Sequence, residues 1–253
     1  MDYREKVLYL LSKHNQDSNE LKASISELQK QLNDYNQQIS IMSKALNVPE
    51  FVDLDLPSGT KWMTKNLGAK RMWDYGYYFQ WGSTVGYSDK DIKTHALWKY
   101  CPGNNEKEQA DTEALKKWNE KYLSKSSGKL TKSVDAAFNL TNGAARLPSI
   151  EQIKELLKST NAYIENNFQG SGINGMIFAS KKTDSKYIFI PASGSASDGG
   201  IWDRGNYGVI WVAAPNPEDI TKALAFTYNI SAKNMYGSTH SRYEGLCIRA
   251  VLA

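Results

Sequence analysis

From Val7 to Leu46 the apolar residues recur every seven positions in two interleaved sets. Leu11, Ile25, Leu32, Ile39 and Leu46, with Ser18, form one set; Val7, Leu21, Leu28, Tyr35 and Met42, with His14, form the other. A strict 3.5-residue repeat keeps the same seam turned toward a partner helix. A helix packed on its own domain carries a wider stripe that follows the 3.6 period. The spacing therefore predicts a self-associating coiled coil, a stalk over residues 1–48. His14 and Ser18 place polar layers in the seam, which fix register at some expense of stability. Pro49 ends the helix. About 40 helical residues would rise about 60 Å.

Beyond Pro49 the pattern changes. Short apolar or aromatic runs alternate with clusters of Gly, Asn, Ser and Asp: "FVDLDLPSGTKW", "YGYYFQWG", "MIFASKK", "KYIFIPASG", "VIWVAA", "ALAFTY" and "LCIRAV". These predict the strands of a small antiparallel sheet joined by long loops. Two helices stand out, one over 111–123 and one opening at "LPSIEQIKELLKS". In the second, Ser149 caps, Gln152 takes the third helical position, and Ile153, Leu156 and Leu157 make the buried stripe. Trp211 follows "GVI" in a strand and is assigned to the core. The predicted class is α+β, with a head of residues 49–253 on the stalk.

Charge narrows the picture. The net charge is +4, and residues 90–132 alone hold ten lysines against six acids. That Lys/Glu mixture reads as a solvated, partly helical insertion rather than a phosphate groove, which would cluster cations on one face with stacking aromatics. Nucleic acid is therefore not expected as a partner. No apolar run reaches the ~18 residues of a membrane span. The N-terminal "MDYREKVLYLL" carries no signal-peptide pattern. Cys101 and Cys247 match no metal or redox spacing, and two buried free thiols are preferred over a disulfide.

The familiar chemical motifs do not assemble. Gly170, Gly172 and Gly175 spell G-x-G-x-x-G, but "GSGINGMIFASKK" runs into a strand, so the glycines read as a turn rather than a dinucleotide loop. The histidines His14, His95 and His240 have no second metal ligand at a binding spacing. Ser193 and Ser195 stand in no nucleophile elbow. Glu218 and Asp219 sit beside prolines in a loop and read as solvated. Asn139 and Asn229 begin glycosylation sequons that are taken as chance matches. No nucleophile, base and oxyanion donor come together, so no enzyme, metal or cofactor is expected.

One stretch stands apart. In "NMYGSTHSRYEGLCIRAVLA", residues 236–243 mix Tyr, Gly, Ser, Thr, His and Arg with no apolar period, just before a final apolar run. Together "FVDLDLPSGTKWMTKNLGA", "YGYYFQWG", "DAAFNL", "ARLPSIEQIKELL", "YIFIPASG", "GVIW" and "GLCIRAV" resemble, in order and spacing, the Fibrobacter succinogenes major paralogous domain. The resemblance spans about Phe51 to Val251. It implies a C-type lectin-like fold related to the formylglycine-generating enzymes. Cys101 and Cys247 do not form the cysteine pair those enzymes need. The Glu-Pro-Asn and Trp-Asn-Asp calcium signatures of sugar-binding lectins are not in the chain.

The resemblance further implies a ligand-binding protein of the kind found among phage fibres and retroelement-diversified proteins. The closing strand would bury Leu246, Ile248 and Val251 and display the mixed run before it. The binding face would comprise Trp202, Arg204, Asn206, Tyr207, Tyr228, Asn234, Tyr236, Ser238, Thr239, His240, Ser241, Arg242, Tyr243 and Glu244. Tyr, Trp and Arg are the usual interface anchors, and Ser, Gly and Asn adapt their hydrogen bonds. Every residue type from 236 to 243 can arise from an Asn codon altered at its adenines, whereas the flanking Met235 and Glu244 cannot. The implied partners are a second and third copy through the stalk (a dimer is the alternative), a bacterial surface glycan or protein, and other virion structural proteins. The implied place is a virion fibre assembled in the host cytoplasm. A bacterial adhesin of the same family is the second reading, and an enzyme of the formylglycine-generating type the third.

Overall fold

The computed structural model describes residues 2–45, 49–92 and 111–253. Contacts divide the chain into Met1–Val48 and Pro49–Ala253. The first unit is one helix, α1 (Tyr3–Ala45). It opens on a reciprocal cap: the Glu5 amide donates to Asp2 Oδ1 at 2.9 Å, and the Asp2 amide donates to Glu5 Oε2 at 2.9 Å. Two otherwise orphaned backbone donors are satisfied in this way. Leu11, Leu21, Ile25, Leu28, Leu32 and Tyr35 are all 47–63% exposed along it. The side chains of Ile39 and Met42, and all of Leu46, lie outside the described residues.

The second unit is α+β and built from several small antiparallel sheets. β1 (Phe51–Asp53), β2 (Lys61–Met63), β14 (Val251–Leu252) and β5 (Ala145–Arg146) form one sheet in that order, so the two ends of the unit pair with each other. β6 (Thr160–Glu165), β7 (Gly175–Ser180) and β8 (Tyr187–Pro191) form a meander, and so do β11 (Tyr207–Pro215), β12 (Lys222–Asn229) and β13 (Asn234–Ser241). β3 (Tyr78–Phe79) pairs β4 (Gly86–Tyr87), and β9 (Ser195–Ser197) pairs β10 (Gly200–Trp202). The last hairpin turns on Asp198 and Gly199, both at positive φ (51° and 76°), as a two-residue hairpin loop requires. The helices are α2 (Asp89–Ile92), α3 (Thr112–Tyr122), α4 (Ala136–Leu140) and α5 (Ile150–Ser159).

The local signals explain the helix ends. Ser149 and Gln152 form the complete capping box of α5, with Ile153 and Leu156 buried and Leu157 half-buried. Asp111 caps α3 by accepting from the amides of Glu113 and Ala114 at 3.0 Å. The glycines of the G-x-G-x-x-G run behave as a turn entering β7: Gly170 and Gly172 have positive φ, and Gly175 begins the strand.

Over residues 111–132 the insertion is packed rather than wholly solvated. Cys101 and His95 lie outside the described residues, but α3 is docked: Leu115 is fully buried and Trp118 packs on Trp81 with ring centroids 5.8 Å apart. Gly82 makes room for it, since a Cβ there would lie 2.6 Å from the Trp118 ring. One apolar stripe, Leu115 and Trp118 at i and i+3, outweighs the surrounding lysines because it alone meets the core.

Three buried clusters fill the head, the smallest of them Phe168, Ile177, Ala179 and Phe189. One of the larger two gathers Leu54, Trp62, Tyr78, Phe178, Ile210, Phe226 and Tyr228; the other gathers Phe79, Trp81, Trp211, Leu246 and Ile248. Trp81 and Trp211 lock the second: Trp81 Nε1 donates to Val212 O at 2.9 Å and Trp211 Nε1 to Phe79 O at 2.6 Å. Trp211 is thus core, as the sequence predicts.

The chain end differs from a regular closing strand. Leu246, Ile248 and Val251 are buried, but so are Cys247, Arg249 and Ala250. Residues 245–250 run as a buried thread that bridges Ala196, Phe79 and Ile210 in turn, and only Val251–Leu252 is a ladder strand. The thread carries a cation into the interior. Arg249 donates to Asn66 Oδ1 at 2.9 Å, Met63 O at 3.1 Å and Phe189 O at 2.7 Å. Burial lowers its pKa from the ordinary arginine value to about 9.

Candidate ligand-binding face

The mixed run is not a loop: Asn234–Ser241 is β13, at the edge of its sheet. The register explains its exposure. Tyr236, Ser238 and His240 stand opposite Thr227, Ala225 and Ala223 of β12, so they share one face; Met235, Gly237 and Thr239 stand opposite Tyr228, Phe226 and Leu224 on the other. The middle strand is apolar on both faces and covered on both. The edge strand is polar on both, and Asn234, Met235, Tyr236, Gly237 and Thr239 are exposed. Tyr236, 41% exposed, is the aromatic among them. Thr227 and Ser238 exchange a hydroxyl hydrogen bond at 2.6 Å across the pair.

Toward its end the segment is tied down. The His240 ring stands edge-on to Trp211 at 6.3 Å, and its Nδ1 lies 2.8 Å from Glu244 Oε2. The other Glu244 oxygen accepts the Ser241 amide at 3.2 Å. The Tyr243 carbonyl accepts Gln80 Nε2 at 2.9 Å. Ser241, Tyr243 and Glu244 are accordingly half-buried.

Two of the predicted anchors are core residues instead. Arg242 has no exposed surface: its guanidinium lies over Trp81 at 4.6 Å and Trp118 at 5.5 Å and donates to Asn119 Oδ1 at 3.0 Å. The turn after β13 points it inward, where it joins α3 to the head. Tyr228 is also fully buried, its hydroxyl donating to Ile190 O at 2.5 Å and burial holding its pKa well above the usual value. Gly208 exists to admit that ring, because a Cβ there would fall inside it.

The aromatic loop divides in the same way. Trp202 is 56% exposed, its indole nitrogen donating to Ser197 O at 3.3 Å. Arg204 turns inward to Asp89 with a two-pronged pair at 2.6 and 2.7 Å, to the Tyr78 hydroxyl at 2.9 Å, and over the Tyr75 ring at 4.3 Å. Burial pulls the Arg204 pKa down, but Asp89 and Tyr78 together raise it above the ordinary arginine value. Asn206 is spent on Ser231, accepting from its amide at 3.1 Å and its hydroxyl at 2.6 Å. Tyr207 is half-buried at the start of β11, in one row with Asn229 and Asn234. Among the described residues, no ring contact or hydrogen bond joins Trp202 to β13.

The exposed set is therefore Asn234, Met235, Tyr236 and Thr239 on β13 with Trp202 on a separate hairpin. The partners that hold half-buried Arg204 and buried Arg242 come from 115 and 123 residues away in the chain. Only Trp118, three positions from Leu115 in an otherwise charged helix, hinted at any of them. Among the described residues no three His, Cys, Asp or Glu side chains gather as a metal site, and no helix is long and apolar enough to cross a membrane. Cys247 is a buried free thiol, donating to Tyr75 O at 3.2 Å, with its pKa pushed up to about 12 by burial. Comparison with family models, curated proteins and solved structures gives no match in any of the three.

Proposed function

We propose that the chain is a non-enzymatic attachment protein: an oligomeric coiled-coil stalk carrying lectin-like heads, as in a phage fibre or receptor-binding protein of the virion. It would recognise a bacterial surface glycan or protein through the edge strand β13. The observation that carries the reading is the pairing of two unpartnered surfaces. One is the α1 seam, half to two-thirds exposed at every described heptad residue except His14 and Ser18 and the less exposed Val7. The other is an edge strand whose exposed side chains are an Asn, a Met, a Tyr and a Thr rather than the charges that usually blunt edges. The motif resemblance supports the same reading, and a parallel trimer would place weak heads side by side, where they add by avidity.

Retroelement diversification fits only part of the segment. Substitution at Tyr236, Gly237 and Thr239 leaves the core untouched, because those positions are exposed and a Cβ at Gly237 would meet no atom within 4 Å. Arg242 cannot vary freely. If the locus is diversified, Arg242 stays constant among variants while Tyr236 and Thr239 change.

The test uses fluorescently labelled full-length chain on panels of bacterial cells. Tyr236→Ala should weaken attachment about five- to thirty-fold, the effect of losing an aromatic anchor of roughly 1–2 kcal/mol. Leu21→Glu with Leu28→Glu should dissociate the oligomer and reduce attachment by loss of avidity. Attachment that survives both would sink the proposal.

A further inference from the structure

A cleft of about 660 Å³ opens in the head, formed where residues 68–76, 88–90 and 169–173 meet. No residue of β13 lines it. Its volume is that of a pocket for a small ligand, roughly 300–1,000 Å³.

The walls are prebuilt. Trp73 is half-buried, braced by Phe168 with ring centroids 6.3 Å apart and by the Arg71 guanidinium 5.2 Å from its ring. Tyr75 is held under Arg204, and its carbonyl accepts Asn66 Nδ2 at 2.8 Å. On the opposite side Gln169 sits in a loop where Asn167, Gln169, Gly170 and Gly172 all have positive φ. Two non-glycine residues in that conformation are unfavourable and persist only where the surroundings impose them. Here Phe168 anchors the loop, stacked on Phe189 at 4.0 Å, and Asn167 Oδ1 accepts the Gly172 amide at 2.6 Å. Gln169 lines the cleft, and its Nε2 donates to the Tyr187 hydroxyl at 3.3 Å.

The charges decide the ligand class. Both acids of the cleft are already neutralised: Asp74 by Arg71 at 2.8 Å, and Asp89 by both guanidinium nitrogens of Arg204. Lys70 and Lys90 also line the cleft, and no acid among the described residues pairs with either. Among the described residues the cleft therefore carries two positive charges without an acid partner, beside two aromatic rings. Around them stand the Ser88 hydroxyl, which donates to Asp91 Oδ2 at 2.6 Å, the Gln169 amide, which donates to Tyr187, and the remaining lone pairs of Asp89, so these groups meet a ligand chiefly as acceptors. Aromatic faces suit the C–H face of a pyranose, fixed polar groups suit its hydroxyls, and the lysines require an anion.

We propose that this cleft is a second ligand site, distinct from β13, that binds a saccharide of one or two pyranose rings carrying an anionic group. It does not depend on the attachment reading of β13. Isothermal titration calorimetry on the full chain tests it with a disaccharide ending in glucuronate, with cellobiose, and with sodium acetate. The acidic disaccharide should bind saturably, cellobiose at least ten-fold more weakly, and acetate without saturation. Lys70→Gln with Lys90→Gln should weaken the acidic disaccharide at least five-fold and remove most of its salt dependence. Gly170→Asn should abolish binding: position 170 lines the cleft, a Cβ there meets no atom within 4 Å, and Asn tolerates its φ of +74°. Absence of saturable binding by the acidic disaccharide overturns the proposal. So does equal binding of cellobiose or of acetate, or wild-type affinity in a Gly170→Asn chain that melts normally. If Gly170→Asn does not fold, undiminished binding by the double lysine variant overturns it.

Discussion

Arg242→Ala should unfold the head more readily than any substitution on the exposed part of β13. The guanidinium lies within 6 Å of two indole rings, at 4.6 and 5.5 Å, and each desolvated contact is worth about 1–2 kcal/mol. Its hydrogen bond to Asn119 adds about 1.5–3 kcal/mol. Truncation also opens a cavity beside Trp81 and Trp118, costing about 1 kcal/mol more. Against these stands relief from burying a cation, several kcal/mol in the opposite direction. The balance is a loss of about 3 kcal/mol. For a domain of this size each kcal/mol moves the midpoint by about 2–4 °C, so the head should melt about 6–12 °C lower. Circular dichroism melts of the full chain read this directly. Arg242→Met, which keeps the stem against the indoles, should recover about half. Tyr236→Ala should stay within about 0.5 kcal/mol of wild type. An Arg242→Ala chain melting within about 1 °C of wild type refutes the argument, as does a Tyr236→Ala chain that falls as far.

Three further outcomes are expected. Arg249→Met should lower stability by roughly 1–3 kcal/mol in urea with an unchanged slope, since it takes a donor from buried Asn66 Oδ1 and from the Met63 and Phe189 carbonyls while relieving the burial of a cation; a chain as stable as wild type would falsify this. In a Cys101→Ser background Cys247 should resist a thiol reagent at pH 8 until the head unfolds. Its folded pKa of about 12 lies above the ordinary 9, so its contribution is complete below pH 9 and lost as pH rises from 9 to 12; Cys247→Ala should flatten that limb of the stability curve, and an identical limb would count against it. Sedimentation equilibrium of the full chain should give a trimer: a dimer corrects the count, and a monomer removes the stalk.

How much was legible depended on the range of the interactions. The α1 helix, the α5 cap and the turn entering β7 are written in residues three to seven apart, and all three are present in the structure. Burial of Trp211 and Leu246 was legible because an apolar residue in an apolar run has no other place to go. The cations were not. An Arg in a polar run is exposed by default, and only a partner far along the chain reverses that. For Arg242 the reversal needed Trp81 and Trp118; for Arg204 it needed Asp89 and Tyr78. Both were read as anchors from local texture; Arg242 is buried, and Arg204 is half-buried in its ion pair with Asp89.

The correction changes what kind of surface β13 can be. A displayed loop would owe its shape to its own sequence, so altering it would alter its shape. An edge strand owes its shape to β12, whose eight paired positions fix the backbone whatever side chains β13 carries. Below it the buried thread of residues 245–250 ties β9, β3 and β11 together through main-chain bridges, which do not depend on side-chain identity. Side chains at Asn234, Tyr236 and Thr239 are thus decoupled from folding on both sides. The same exposure is a hazard, because an edge without charges invites pairing with another chain. Replacing Thr239 with Lys separates the two consequences. It should leave the melting midpoint unchanged, since the position is exposed. It should also suppress concentration-dependent association of heads in a chain whose α1 seam has been disrupted by Leu21→Glu and Leu28→Glu. Light scattering on that chain, with and without Thr239→Lys, measures the second effect. A fall in the melting midpoint of several degrees would show that the strand is coupled to the core after all.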